Sequence, residues 1–288
     1  MAKYRKPDKR VHRGFLYLDD ETVINSLSAV ESGKIDEIVA KVISAREGGF
    51  GGGAGFSGVQ VEGSRKSSSS LEEEIVRTRT RFSAFEVWYK GLVDAKAIGR
   101  FDGWGADSLD GVEPGDTVEF RASIEVAPLQ TLIRLFFWFA GQARTQGSMF
   151  SQKGPQLEAT KTSERVMKAL LGSDESRDEV LLSVSPVGGA GPAVVMPVNP
   201  HWLIGRLGEL GGEYTVIAQV NQVLTDGGEL PAIRLTRDVA PTPLEVTTLK
   251  GVVANFVEPA KGLGIEISES DASVLGPALV LIPIAVYK

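Results

Sequence analysis

A chain of 288 residues with 42% hydrophobic and 24% charged side chains is long enough for one large domain or two ordinary ones with real cores, which excludes a disordered tail, a fibre and a mini-protein. Its formal charge of −6 argues against a dedicated nucleic-acid coat or a polybasic membrane anchor. With no cysteine and two histidines, it can build no disulfide framework, cysteine nucleophile, zinc finger, iron–sulfur cluster or three-histidine metal site.

The first 14 residues form a basic arm, with Lys3, Arg5, Lys6, Lys9, Arg10 and Arg13 against Asp8 alone. The arm lacks the apolar stretch of a secretory signal, so a cytoplasmic location and a solvated, flexible arm are expected. Residues 15–18 (Phe-Leu-Tyr-Leu) read as a short strand, and Asp19-Asp20-Glu21 supply an N-cap and an acidic first turn for a helix carrying Val23, Ile24, Leu27 and Val30. A second amphipathic segment carries Ile35, Ile38, Val39, Val42 and Ile43.

Residues 48–70 change texture to glycine and then serine, the composition of a mobile loop. From Leu71 the helical period returns through Ile75, Phe82, Phe85, Trp88, Tyr89 and Leu92, which predicts a long helix with an aromatic face. A glycine-rich turn over 99–116 leads into a half-buried strand marked by alternating Val118, Phe120, Ala122, Ile124 and Val126. The apolar run 132–140, broken only by Arg134, has about half the ~20 residues of a membrane span and reads as a buried core helix. Its neighbouring aromatics Phe136, Trp138 and Phe139 keep two alternatives open, an interfacial membrane helix and an oligomer interface.

A polar helix follows over about 156–171, and the polar stretch 172–178 has the look of a domain boundary. Beyond it the sequence is β-rich, with strands expected at 180–184, 193–196, 214–224, 232–235, 265–267 and 278–287 and helices near 199–210 and 242–257. The acidity sits here: residues 178–288 carry 6 basic and 12 acidic residues, a net of −6, and residues 1–177 sum to zero. The fold expected is α+β in two parts. A mainly helical portion over 15–172 holds a short strand and the mobile loop 48–70, and a β-rich α+β domain occupies 178–288.

Few motifs carry chemistry. The glycines of 48–58 lack the spacing and the following Lys-Ser/Thr of a phosphate-binding loop, so a linker or flap is the simpler reading. Asp19 and Asp20 offer hard oxygen ligands to a divalent cation, although helix capping explains them with fewer assumptions. Trp104, Trp202 and His201 are candidates for ligand contact; neither His12 nor His201 has a nucleophile elbow or a nearby carboxylate suggesting a triad. No cofactor is implied, and no nucleic-acid signal stands out.

Four segments together resemble the prokaryotic family catalogued as domain of unknown function 6414: the run 15–30, the Gly/Ser-rich break before the helix with Arg81-Phe82, the strand 214–220, and the closing Ile282-Pro-Ile-Ala-Val-Tyr287. The resemblance extends over nearly the whole chain and implies a soluble prokaryotic protein without naming a reaction. With no acid–base or nucleophile constellation in sequence, the reading is a non-catalytic binding or interaction protein, a sensor or scaffold, with a protein partner or a second copy as its counterpart. Two alternatives stand beside it. One is a carboxylate- and metal-dependent enzyme acting on a phosphate ligand, with Asp19 and Asp20 at its site. The other is a peripheral membrane protein held by Phe136, Trp138 and Phe139.

Overall fold

A computed structural model describes residues 13–30, 81–171, 179–236, 239–262 and 264–288. The fold is mixed α+β, and the chain divides into two compact units, 1–18 with 99–288 and 19–98. The second amphipathic segment at 35–43, the loop 48–70, the first half of the helix expected from Leu71, most of the basic arm and the break at 172–178 lie outside the described residues.

The larger unit is built on a ring of strands. Strand β3 (Thr117–Val126) pairs antiparallel with β4 (Val180–Pro186), and β4 pairs antiparallel with β5 (Ala193–Val198). Strand β5 runs parallel to β9 (Ala278–Tyr287), β9 is antiparallel to β6 (Glu213–Leu224), and β6 returns antiparallel to β3. This closed order, with a single parallel pair, is the strand order of the OB-fold barrel. Two short strands extend it: β1 (Phe15–Leu18) pairs with the C-terminal part of β9, and β2 (Gly99–Arg100) runs parallel to the start of β3. Closure leaves few free edges, which protects long apolar strands from pairing with other chains.

The period-two pattern accounts for the two cores. Val118, Phe120, Ala122 and Ile124 of β3 meet Val180, Leu182 and Val184 of β4, Val194, Met196 and Val198 of β5, and Leu279 and Leu281 of β9 inside the ring. The alternate residues Leu181 of β4 and Ala278 and Val280 of β9 face outward into a second core. That core is supplied by the two long barrel connections. Between β3 and β4 come helices α3 (Pro128–Arg144) and α4 (Pro155–Leu171). Between β6 and β9 come the short antiparallel pair β7 (Glu229–Pro231) and β8 (Ser273–Leu275) and, between these two strands, helix α5 (Pro243–Gly262). Leu129, Leu132 and Ile133 of α3, Ile233, and Leu249 and Val253 of α5 pack there.

The smaller unit shows helix α1 (Asp20–Val30) and helix α2 over 81–94. Val23, Ile24 and Leu27 of α1 and Ala84, Phe85 and Trp88 of α2 are buried, as helical spacing predicts.

The structure departs from the sequence reading at several points. Strands β3 and β4 are hydrogen-bonded neighbours across the expected break, so 117–126 and 180–186 share one sheet. The apolar run 232–235 is a 3-10 turn with Ala232, Ile233 and Leu235 buried, because a short continuous apolar run has the same pattern in a buried turn as in a strand. Residues 265–267 make no ladder, although Ile267 is buried, and the helix expected near 199–210 is two short 3-10 turns at Pro200–Trp202 and Leu207–Glu209. Helix α5 runs to Gly262, five residues beyond its expected end. The short strands β2, β7 and β8 leave no signal in the sequence.

Candidate interaction surface

Helix α3 opens with Pro128 in its first turn, where the missing N–H costs nothing. Leu129, Leu132, Ile133, Ala140 and Ala143 form its buried stripe. The opposite stripe carries Arg134 and, one turn later, Trp138, which is 51% exposed. After Arg144 the chain reverses over 145–154. The Gln152 N–H donates to the Ala143 carbonyl at 2.9 Å, and the Thr160 hydroxyl donates to Gln152 Oε1 at 2.6 Å. Glu164 of α4, nearly fully buried, accepts from Arg144 at 3.1 Å and lies 3.3 Å from Lys168, which fixes the two helices side by side.

This stitching returns Phe150 across the exposed ring of Trp138 and the half-buried ring of Phe139. Its centroid lies 5.8 Å from that of Trp138 and 5.1 Å from that of Phe139, and the Trp138–Phe139 centroids are 4.9 Å apart. The interplanar angles of 70°, 86° and 76° are edge-to-face, an arrangement worth about 0.5–1.5 kcal/mol per pair beyond area burial. Beside Phe150, which is 39% exposed, Met149 is 89% exposed. The result is a pre-ordered apolar knob at one end of a helical hairpin, with nothing among the described residues covering it.

The hairpin, 128–171, carries six basic residues and two acidic ones, a net charge of +4 in a chain whose total is −6. Glu158 pairs with Lys161, and Glu164 serves Arg144 and Lys168. Among the described residues Arg134, Lys153 and Arg165 have no ion-pair partner.

The sequence singled out Phe136, Trp138 and Phe139, and the structure brings the last two together. Phe136 points elsewhere, edge-on to Phe256 of α5 at 6.1 Å. Met149 and Phe150 were missed. Their signal is two large apolar residues in an otherwise polar turn between Gly147 and Gly154, both of which adopt left-handed backbone.

The other candidates lie apart from this surface. Trp104 is buried, donates its indole N–H to the Pro192 carbonyl at 3.0 Å, and packs with Phe101 and Phe120 on the inner core. His201 is exposed and lies edge-on to Trp202, which is half-buried against that core. Asp19 caps α1: its two carboxylate oxygens accept the Thr22 N–H at 2.9 Å and the Thr22 hydroxyl at 2.7 Å. Asp20 pairs with Arg81 of α2 at 3.3 Å.

A polar cleft of about 690 Å³ lies over the 99–112 loop, with Asp102, Asp107, Asp110 and Asp116 among its lining residues. Asp116 is occupied in closing its own turn, accepting the Glu113 N–H at 2.9 Å. Among the described residues no group of three or more His, Asp or Glu side chains is disposed to hold a metal ion. Glu229 of β7 has its carboxyl held below the usual carboxylate range, first by the hydrogen bond from Lys250 and then by that from Ser273. It joins β7, β8 and α5 and lines none of these surfaces.

The outer face of β4 and β5 deserves comparison with OB-type barrels, which bind oligonucleotides across the corresponding strands. Here Leu181, with Val195 partly buried beside it, packs against α3 and the β6–β9 connection, so that face is largely covered by the chain itself, leaving a groove of about 260 Å³ beside Ser183 and Ala193. No helix among the described residues is long and apolar enough to cross a membrane.

The family described as domain of unknown function (DUF6414) matches residues 12–287, and the chain belongs to that family. No curated protein matches the chain, and no solved structure does.

Proposed function

Taking membership of the DUF6414 family as the premise, we propose that the chain is a non-catalytic interaction protein, a sensor or scaffold, whose contact is made through the aromatic knob of the α3–α4 hairpin. One observation carries this reading: Trp138, Phe139 and Phe150 are held against one another, Phe139 half-buried, while Trp138, Phe150 and the adjacent Met149 stay exposed to solvent. Exposed apolar groups of this size are costly to maintain in water, and clusters of them mark association surfaces. The buried face of α3 supplies its contribution to the core from the opposite side of the helix.

The carboxylate-enzyme alternative is the weaker reading, because Asp19 caps the start of α1 and one oxygen of Asp20 is paired with Arg81, its other oxygen being buried without a hydrogen-bond partner. A prokaryotic, cytoplasmic setting remains part of the proposal, consistent with a chain free of cysteine.

The test is a photo-crosslinking amino acid placed at position 138 of the full chain in its source cells, with Leu275, 50% exposed on β8, as the comparison position. Adducts at 138, with protein or with lipid, and none at 275 are expected. No adduct at 138, or the same adducts at both positions, would overturn the reading.

A further inference from the structure

Resting on that reading, we propose that the surface this hairpin engages is the anionic face of a phospholipid bilayer. Trp138, Phe139, Met149 and Phe150 enter the boundary between headgroups and acyl chains, and Arg134 and Lys153 meet the lipid phosphates.

Three observations carry the assignment. First, the knob combines a tryptophan, two phenylalanines and a methionine, side chains that partition into the membrane interface through bulk and polarizability without needing a matched pocket. Second, its cations flank it. Arg134 precedes Trp138 by one helical turn on the same exposed stripe, and Lys153 follows Phe150 by three residues. Among the described residues neither has an acidic partner, so both charges are available to an external anion. Third, the hairpin carries a net +4 within a chain of net −6, so its own charge is complementary to an anionic surface.

The ring geometry separates a bilayer from a nucleic acid. Successive bases stack on ring faces that lie roughly parallel to one another, whereas these rings meet at 70–86°. An acidic protein surface shares the charge argument, and the experiment distinguishes it.

The full chain is sedimented with vesicles of phosphatidylcholine alone and of phosphatidylcholine mixed with phosphatidylserine, at low and high salt, with circular dichroism confirming that each variant is folded. Co-sedimentation with the phosphatidylserine vesicles alone is expected, weakening as salt rises. The Trp138 emission should shift to shorter wavelength on binding, a shift lost in Trp138→Phe. Removing the two flanking cations in Arg134→Gln/Lys153→Gln should weaken partitioning about fivefold per charge. Trp138→Ser/Phe150→Ser should abolish it.

Failure of the unmodified chain to sediment with either vesicle would overturn the bilayer as partner, and so would full binding by the Trp138→Ser/Phe150→Ser variant. If discrete protein adducts still form at position 138 in cells, the interaction reading survives that failure and an acidic protein takes the bilayer's place. If they do not, both readings fall.

Discussion

Trp104 offers the sharpest test of how the barrel is held together. Replacing it with alanine removes an indole that is 5% exposed, packed at centroid distances of 5.0 Å from Phe101 and 6.4 Å from Phe120. Large-to-small changes of an aromatic residue in a core cost about 3–5 kcal/mol, and the Pro192 carbonyl also loses its donor. Trp104→Phe separates the two contributions: it keeps most of the ring contact and forfeits the N–H, for an expected cost of about 1–3 kcal/mol. Urea unfolding of the full chain, followed by far-ultraviolet circular dichroism, should therefore rank the midpoints as unmodified chain, Trp104→Phe, then Trp104→Ala. A Trp104→Ala variant within about 1 kcal/mol of the unmodified chain would refute the packing role and return Trp104 to the ligand-contact alternative.

The loop that receives this indole makes its own prediction. A Cβ on Gly191 would stand 2.7 Å from the Gly105 carbonyl oxygen and 2.9 Å from its nitrogen, so Gly191→Ala should destabilise by about 1–3 kcal/mol. Gly208→Ala, with nothing within 4 Å, should stay within about 0.5 kcal/mol in the same unfolding assay. Asp19→Ala removes the α1 cap and should cost about 1 kcal/mol, read as a lower thermal midpoint and less helical signal. Glu229 has a carboxyl lowered by Lys250 and Ser273, so its stabilisation is present above the unfolded carboxylate pKa and is lost as pH falls through the folded one. The stability difference between the unmodified chain and Glu229→Gln should accordingly be largest near neutrality and close under acid; a gap independent of pH would contradict the pairing.

What could be read in advance follows physical range. Strands β3, β6 and β9 announce themselves because period-two alternation and apolar density are local, and Asp19 announces the start of α1 because a cap acts over three residues. Closure of the ring was not legible, since pairing β3 with β6 joins residues about a hundred positions apart and no local pattern encodes that register. For the same reason a break was expected at 172–178, a polar stretch that falls within the long connection between two paired strands of one barrel. The apolar run 132–140 was expected to be core, and only part of it is: Leu132, Ile133 and Ala140 are buried, and Trp138 faces outward. A helix with apolar residues on nearly every side does not say which side its neighbours leave uncovered. The contribution of Met149 and Phe150 was hidden for a further reason, because only the hydrogen bonds of the return turn place Phe150 against Trp138.

The central claim, that the chain associates through the knob of the α3–α4 hairpin, is tested most directly by fractionating gently lysed source cells in velocity sedimentation, comparing the unmodified chain with Trp138→Ser/Phe150→Ser. The account predicts that the unmodified chain travels with larger complexes or with membranes and that the variant, still folded, moves to the position of a free monomer. Identical profiles for the two proteins would contradict it.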